Sequence, residues 1–211
     1  MKVSIVLALL VAVCLGCNNP QEKKEATQTT DAAKAKVLQH TEVLSQKDSI
    51  SGAGQEILSF LKSNNSEGLI RYFSEDGVFF SPYGFIDTAK SKKLTPQDFL
   101  TAIKKNWILT WGSYDGTGDP IKLTVTAYLK KFVYNADYAN AEAVGFDEVV
   151  KHGNSLNNLR EVFPNSPFID YHFSGFDPKN SGMDWTSLRL VFKKENNDYF
   201  LIAIIHDQWT I

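Results

Sequence analysis

The chain reads as an α+β protein, with N-terminal helices packed on a curved antiparallel sheet in a single domain. Three observations predict this. Apolar residues recur at helical spacing from Ile57 to Phe73, in two short pieces. From Leu188 onward they follow a period of two, then an unbroken run. The four Trp, eight Tyr and fourteen Phe residues all fall between Phe60 and Trp209, which marks one aromatic-rich core.

The chain begins differently. Lys2 precedes Val3–Leu15, a run apolar apart from Ser4, and Gly16-Cys17 ends it. Thirteen residues are too few to span a bilayer core, which needs about 20. Residues 1–16 therefore read as a signal peptide, removed at a small residue. Cys14 and Cys17 are the only cysteines, so cleavage before a modified Cys17 leaves no thiol for redox chemistry. Residues 17–50 are polar or small over most of their length and read as a flexible linker, with a root-mean-square reach on the order of 30 Å. Within them, Ala32–Leu44 could form a short helix capped by Asp31. Residues 51–211 form the globular α+β domain.

The first helical pieces carry Ile57, Leu58, Phe60 and Leu61, then Leu69, Ile70, Tyr72 and Phe73, broken near Ser63–Ser66. Gly77–Pro82 reads as a short strand stopped by proline. Thr95-Pro96-Gln97-Asp98 gives a threonine cap, proline at the first helical position and a carboxylate in the first turn. That helix is expected to run through Phe99, Ile103 and Trp107. Another follows Thr124 with Tyr128, Leu129, Phe132 and Val133. Ala141–Val150, Glu161–Phe173, Ser187–Lys194 and Tyr199–Trp209 read as strands. The last two form a hairpin about Glu195–Asp198, and the final strand is apolar enough to be buried on both faces.

Charge narrows the partners. The net charge is −2, with no basic stripe, which argues against nucleic acid. Trp111–Pro120 holds Gly112, Gly116 and Gly118, with oxygens at Asp115, Thr117 and Asp119. It is not an EF-hand, because Pro120 replaces the required glycine and Thr126 the bidentate glutamate. It reads as a surface turn anchored by aromatics. No Gly-x-Ser-x-Gly elbow supports a serine nucleophile.

Four histidines remain. His40 and His152 lie in polar surroundings, whereas His172 and His206 lie in strands. Alternation puts Asp170 and His172 on one face of their strand, and Ile202, Ile204 and His206 on one face of theirs. Such histidines could supply a general acid and base, or two ligands completed by Asp170 or Asp184. The competing reading is that each is a core residue satisfied by a backbone carbonyl. Trp111, Tyr114, Trp185 and Trp209 are candidates to line a pocket for an apolar or carbohydrate ligand. No cofactor and no metal is expected.

Cys14-Leu15-Gly16-Cys17 resembles the lipobox of bacterial lipoproteins, with Cys14 where leucine is usual. The resemblance implies acylation of Cys17 and a membrane anchor in the bacterial cell envelope. Asn18 after the cysteine implies the outer membrane if the source has two membranes. The order of helices and strands over residues 54–211 resembles the nuclear-transport-factor-2-like cone. Three stretches, Trp111–Gly118, Gly182–Trp185 through Phe192, and His206–Ile211, look like an uncharacterised family of envelope lipoproteins. These readings favour a membrane-anchored module that binds a small molecule or an envelope protein. The alternative is a hydrolase-like or metal-dependent enzyme centred on His172 and His206.

Overall fold

Strand β8 sits in the middle of the molecule's main sheet although it is the last element of the chain. In the computed structural model, which describes residues 22–154 and 156–210, the sheet runs β2-β1-β8-β7-β6-β5. In chain order the elements begin with α1 (Glu22–Lys62), the single turn α2 (Ser66–Leu69), β1 (Val78–Ser81) and β2 (Lys92–Leu94). Helix α3 (Pro96–Lys104), β3 (Ile108–Ser113), β4 (Pro120–Thr124) and α4 (Val125–Tyr128) follow. The chain ends with β5 (Ala143–Phe146), α5 (Leu159–Val162), β6 (Phe168–Phe173), β7 (Thr186–Glu195) and β8 (Asp198–Gln208). The architecture is α+β, with helices on one face of the sheet. The expected signal peptide of residues 1–16 and Cys17 lie outside the described residues.

The chain divides at Val43/Leu44. In the first unit, where a linker with a short helix over Ala32–Leu44 is expected, the described backbone is helical from Glu22 onward, and Val37, Leu38 and Val43 are exposed. The reason is residue type. Ala, Lys, Glu and Gln lose little freedom in a helix and need no core to favour it. In the second unit Ile50, Ile57, Leu58 and Leu61 are buried in the core.

Local signals explain most remaining elements. Thr95 caps α3 by accepting the Asp98 N–H at 3.1 Å. The helix ends at Lys104, before the expected Trp107, because Asn106 turns left-handed at φ 50° and Trp107 N–H returns to Ala102 O. Thr124 caps α4, which widens over Leu129–Val133 so that Tyr134 N–H bonds Leu129 O five residues back. Two pieces run against the sequence reading. Residues 108–113 and 120–124 pair as a separate hairpin, β3–β4, and the early part of the expected strand at Glu161 is the turn α5.

The sheet is antiparallel except that β1 runs parallel to β8, with Phe79, Phe80 and Ser81 opposite Ala203, Ile204 and Ile205. Both faces are covered. On the inner face Leu188, Leu190, Phe192, Leu201 and Ile204 join the helices and β3–β4 in the main core. On the outer face Phe168, Val191, Ala203 and Ile205 pack with Ile86, from a connecting segment, and with Leu159 of the single turn α5. β8 is thus buried on both sides. A bulge between Val191 and Phe192 places an extra residue in β8, so Ile202 joins the outer cluster rather than the face of Ile204 and His206.

Candidate functional site: a cleft beside a sealed polar layer

β1 stops at Ser81 because Pro82 has no N–H to continue the ladder. The Ser81 hydroxyl donates to Tyr83 O at 2.8 Å and turns the chain outward. Opposite this loop stands the turn between β3 and β4. Tyr114 N–H donates to Asp119 O at 2.8 Å and Gly118 N–H to Tyr114 O at 2.9 Å. The turn needs glycine, since Gly116 and Gly118 sit at φ 77° and 72°. The two walls are joined by Asp115 N–H donating to the Tyr83 hydroxyl at 3.2 Å.

Between them lies a cleft of about 560 Å³, lined by residues 81–91 and 112–118 in part, with Thr210 at one end. Tyr83, Phe85 and Tyr114 supply its aromatic surface. The two tyrosines rest on buried Phe132, with ring centroids at 6.0 and 6.3 Å. Lys131 lies 4.6 Å above the Tyr114 ring and donates to its hydroxyl at 3.1 Å. Burial raises the Tyr83 pKa. The widened turn Leu129–Val133 therefore sets Phe132 against both tyrosine rings and Lys131 over the Tyr114 ring.

The expected pocket residues separate. Tyr114 lines the cleft. Trp111 is fully buried, stacked on Tyr128 with centroids 3.9 Å apart, and donates to Leu123 O, so it is a core residue. Trp185 is buried beside His172. Trp209 is exposed at the end of β8 and does not line this cleft. Tyr83 was missed, because loop residues carry no periodic signal.

The histidines do not meet. His206 pairs in register with Leu188 on the inner face, and His172 with Ser187 on the outer face. His206 Nδ1–H donates to Pro82 O at 3.0 Å, which leaves Nε2 to accept from the Thr186 hydroxyl at 3.0 Å. Tyr138 joins Thr186 at 2.7 Å, so a polar thread runs from the core to the cleft loop. Burial lowers the His206 pKa to about 4, which keeps the ring neutral. His172 Nδ1 contacts the Ser187 hydroxyl at 2.8 Å, and burial lowers its pKa too. Among the described residues no group of three or more His, Cys, Asp or Glu is placed to hold a metal ion.

The candidate carboxylates also have structural partners. Asp184 accepts from Phe176 N–H, Asp177 N–H and the Asn180 amide, which organises the loop before β7 and lowers its pKa to about 2. Asp170 is sealed under the outer layer. Arg189 Nε lies 3.3 Å from Asp170 and Nη2 lies 2.8 Å from Asp207. Burial pushes the Asp170 pKa up against the pull of Arg189. Two loops close over this trio. Val150 N–H donates to Asp170 at 2.9 Å, Gly84 packs against Asp207, and Asn158 bonds both the N–H and O of Ile86.

No family model and no curated protein matches the chain. Among solved structures it is similar to a DUF4783 family protein from Bacteroides ovatus, at 13% identity and a TM-score of 0.33, covering 74% of this chain and 94% of that one. A DUF4783 family protein from Bacteroides fragilis aligns at 17% identity and a TM-score of 0.31, over 72% of this chain and 95% of that one. A variant chain designated Rd1NTF2 aligns at 10% identity and a TM-score of 0.32, over 76% and 98%. The overlaps are shallow, and the α+β assignment rests on the helices and sheet themselves.

Proposed function

We propose that the protein is a lipid-anchored, extracytoplasmic binding module of cone-like α+β architecture that holds a small ligand in the cleft between Tyr83 and Tyr114. One observation carries this reading. A cleft of about 560 Å³ falls within the range of small-molecule sites, and a hydrogen bond from Asp115 N–H to the Tyr83 hydroxyl joins its two walls before any ligand arrives. His206 supports this wall through Pro82, and Asp207 packs against Gly84 of the same loop, while His172, Asp170 and Asp184 hold partners elsewhere in the fold. The anchor is read from Lys2, the apolar run and Gly16-Cys17. Acyl chains on Cys17 would fix the domain to an envelope membrane, and two chains would make that stable.

Two measurements test the parts separately. Membrane fractionation of the wild type and Cys17→Ala is expected to move the variant to the soluble fraction; retention at the membrane overturns the anchor. Native mass spectrometry of gently purified protein is expected to reveal an organic adduct that Tyr114→Ala loses. A bare polypeptide in both forms overturns the cleft reading and turns attention to an envelope protein as partner.

A further inference from the structure

We propose that the Tyr83 wall of the cleft is a movable element fastened from the opposite face of the sheet, an inference that rests on the cleft being the binding site. The first ground is where the ladder ends. β1 is in register with β8 only as far as Ser81 and Ile205, so strand pairing does not hold residues 82–86. The next two residues of β8 take over with their side chains, which alternate between the faces of the sheet. His206 holds Pro82 O from the inner face, and the Asp207 carboxylate lies against Gly84 from the outer one. A Cβ on Gly84 would stand 2.6 Å from Asp207 Oδ2, so only glycine lets the loop come this close.

The second ground is what the outer fasteners are attached to. Asn158, just before α5, accepts the Ile86 N–H at 2.8 Å and donates to Ile86 O at 3.0 Å, as a neighbouring strand would. Arg189 Nη2 lies 2.8 Å from Asp207 and donates to Lys151 O at 3.4 Å. Asp170, on the other side of the guanidinium, accepts the Val150 N–H. The cleft loop and the outer-face segments at residues 150–151 and 158 thus share one set of contacts, with Arg189 between them.

The third ground is the kind of contact. Ion pairs sealed from water add little net stability, because desolvation offsets most of their attraction. A loop held mainly by such contacts opens more readily than one held by a strand ladder. Release of the outer-face segments frees Gly84 and Ile86, lets Tyr83 leave the Asp115 N–H, and opens the cleft.

The test is amide hydrogen exchange, followed by NMR on the intact protein, in wild type, Asn158→Ala and Gly84→Ala. The Asp115 amide, which crosses the cleft to Tyr83, is expected to exchange about tenfold faster in both variants. Leu190, inside β7, is expected to keep its wild-type rate. Asn158 is half-buried, so its variant reads the coupling even where Gly84→Ala fails to fold. An unchanged Asp115 rate in Asn158→Ala overturns the proposal. So does an equal rise at Leu190, which marks general loosening of the fold. Either failure leaves a fixed cleft, whose ligand is judged separately by the adduct that Tyr114→Ala loses. The expected exchange pattern in a protein that carries no adduct instead fails the cleft reading, and with it the role given to this movement.

Discussion

Arg189 Nη2 lies 2.8 Å from Asp207 Oδ2 as an ion pair, in a place where the two side chains keep 0% and 4% of their surface exposed. With Asp170 on the other side, a cation lies between two carboxylates beneath the loops that close the outer face. Removing one member leaves buried charge without its partner. Arg189→Met is therefore expected to cost about 3–5 kcal/mol in urea denaturation. Replacing all three, as Asp170→Leu, Arg189→Met and Asp207→Leu, is expected to recover most of that loss. A triple variant as unstable as the single one would contradict this account.

His206 makes stability depend on pH. Its folded pKa, about 4, lies below the ordinary value near 6.5, so the unfolded chain takes up the proton first. The contribution is fully present above about pH 6.5 and drains away as the pH falls toward 4, by about 3 kcal/mol in all. His172 acts in the same direction, whereas Asp170, raised by burial, acts oppositely. Melting temperatures of wild type and His206→Gln between pH 7 and 4.5 check this: the variant should show the shallower slope.

The Tyr128 hydroxyl is buried without a hydrogen-bond partner, and burial raises its pKa well above the usual value. Tyr128→Phe keeps the stack on Trp111 and removes the unmatched oxygen. A gain of about 1 kcal/mol in the denaturation midpoint is expected. A loss would mean that the hydroxyl has a partner in solution.

Gly118 separates strain from crowding. A Cβ there would meet nothing within 4 Å, but φ is 72°. Gly118→Ala is expected to cost about 1 kcal/mol through backbone strain alone, and Gly118→Asn less, since asparagine tolerates this region. Equal losses for the two would point to a contact and not to conformation.

Most of the frame was legible because it rests on local rules. Thr95 and Pro96 announced α3, and the alternation from Leu188 through the turn at Asn196 announced β7 and β8. The β3–β4 hairpin was not, because both strands are short and its Trp111–Pro120 connection overshadowed them. Helix α1 from Glu22 was hidden by the expectation that order requires apolar residues. At the site, Tyr114 was legible as an aromatic beside a glycine turn. Tyr83 and Arg189 were not. One lies on a loop without period, and the other looked like a solvent-facing strand residue until its two carboxylates were brought beside it by neighbouring strands.

The parallel pairing of β1 with β8 has a kinetic consequence. Phe79 and Phe80 lie early in the domain, yet their neighbours Ala203 and Ile204 come within ten residues of its end. The two halves of the sheet therefore cannot join until the chain from Phe79 to Ile204 is available. Closing so long a loop slows folding, so this parallel pair is expected to form late, after the local hairpin of β7 and β8.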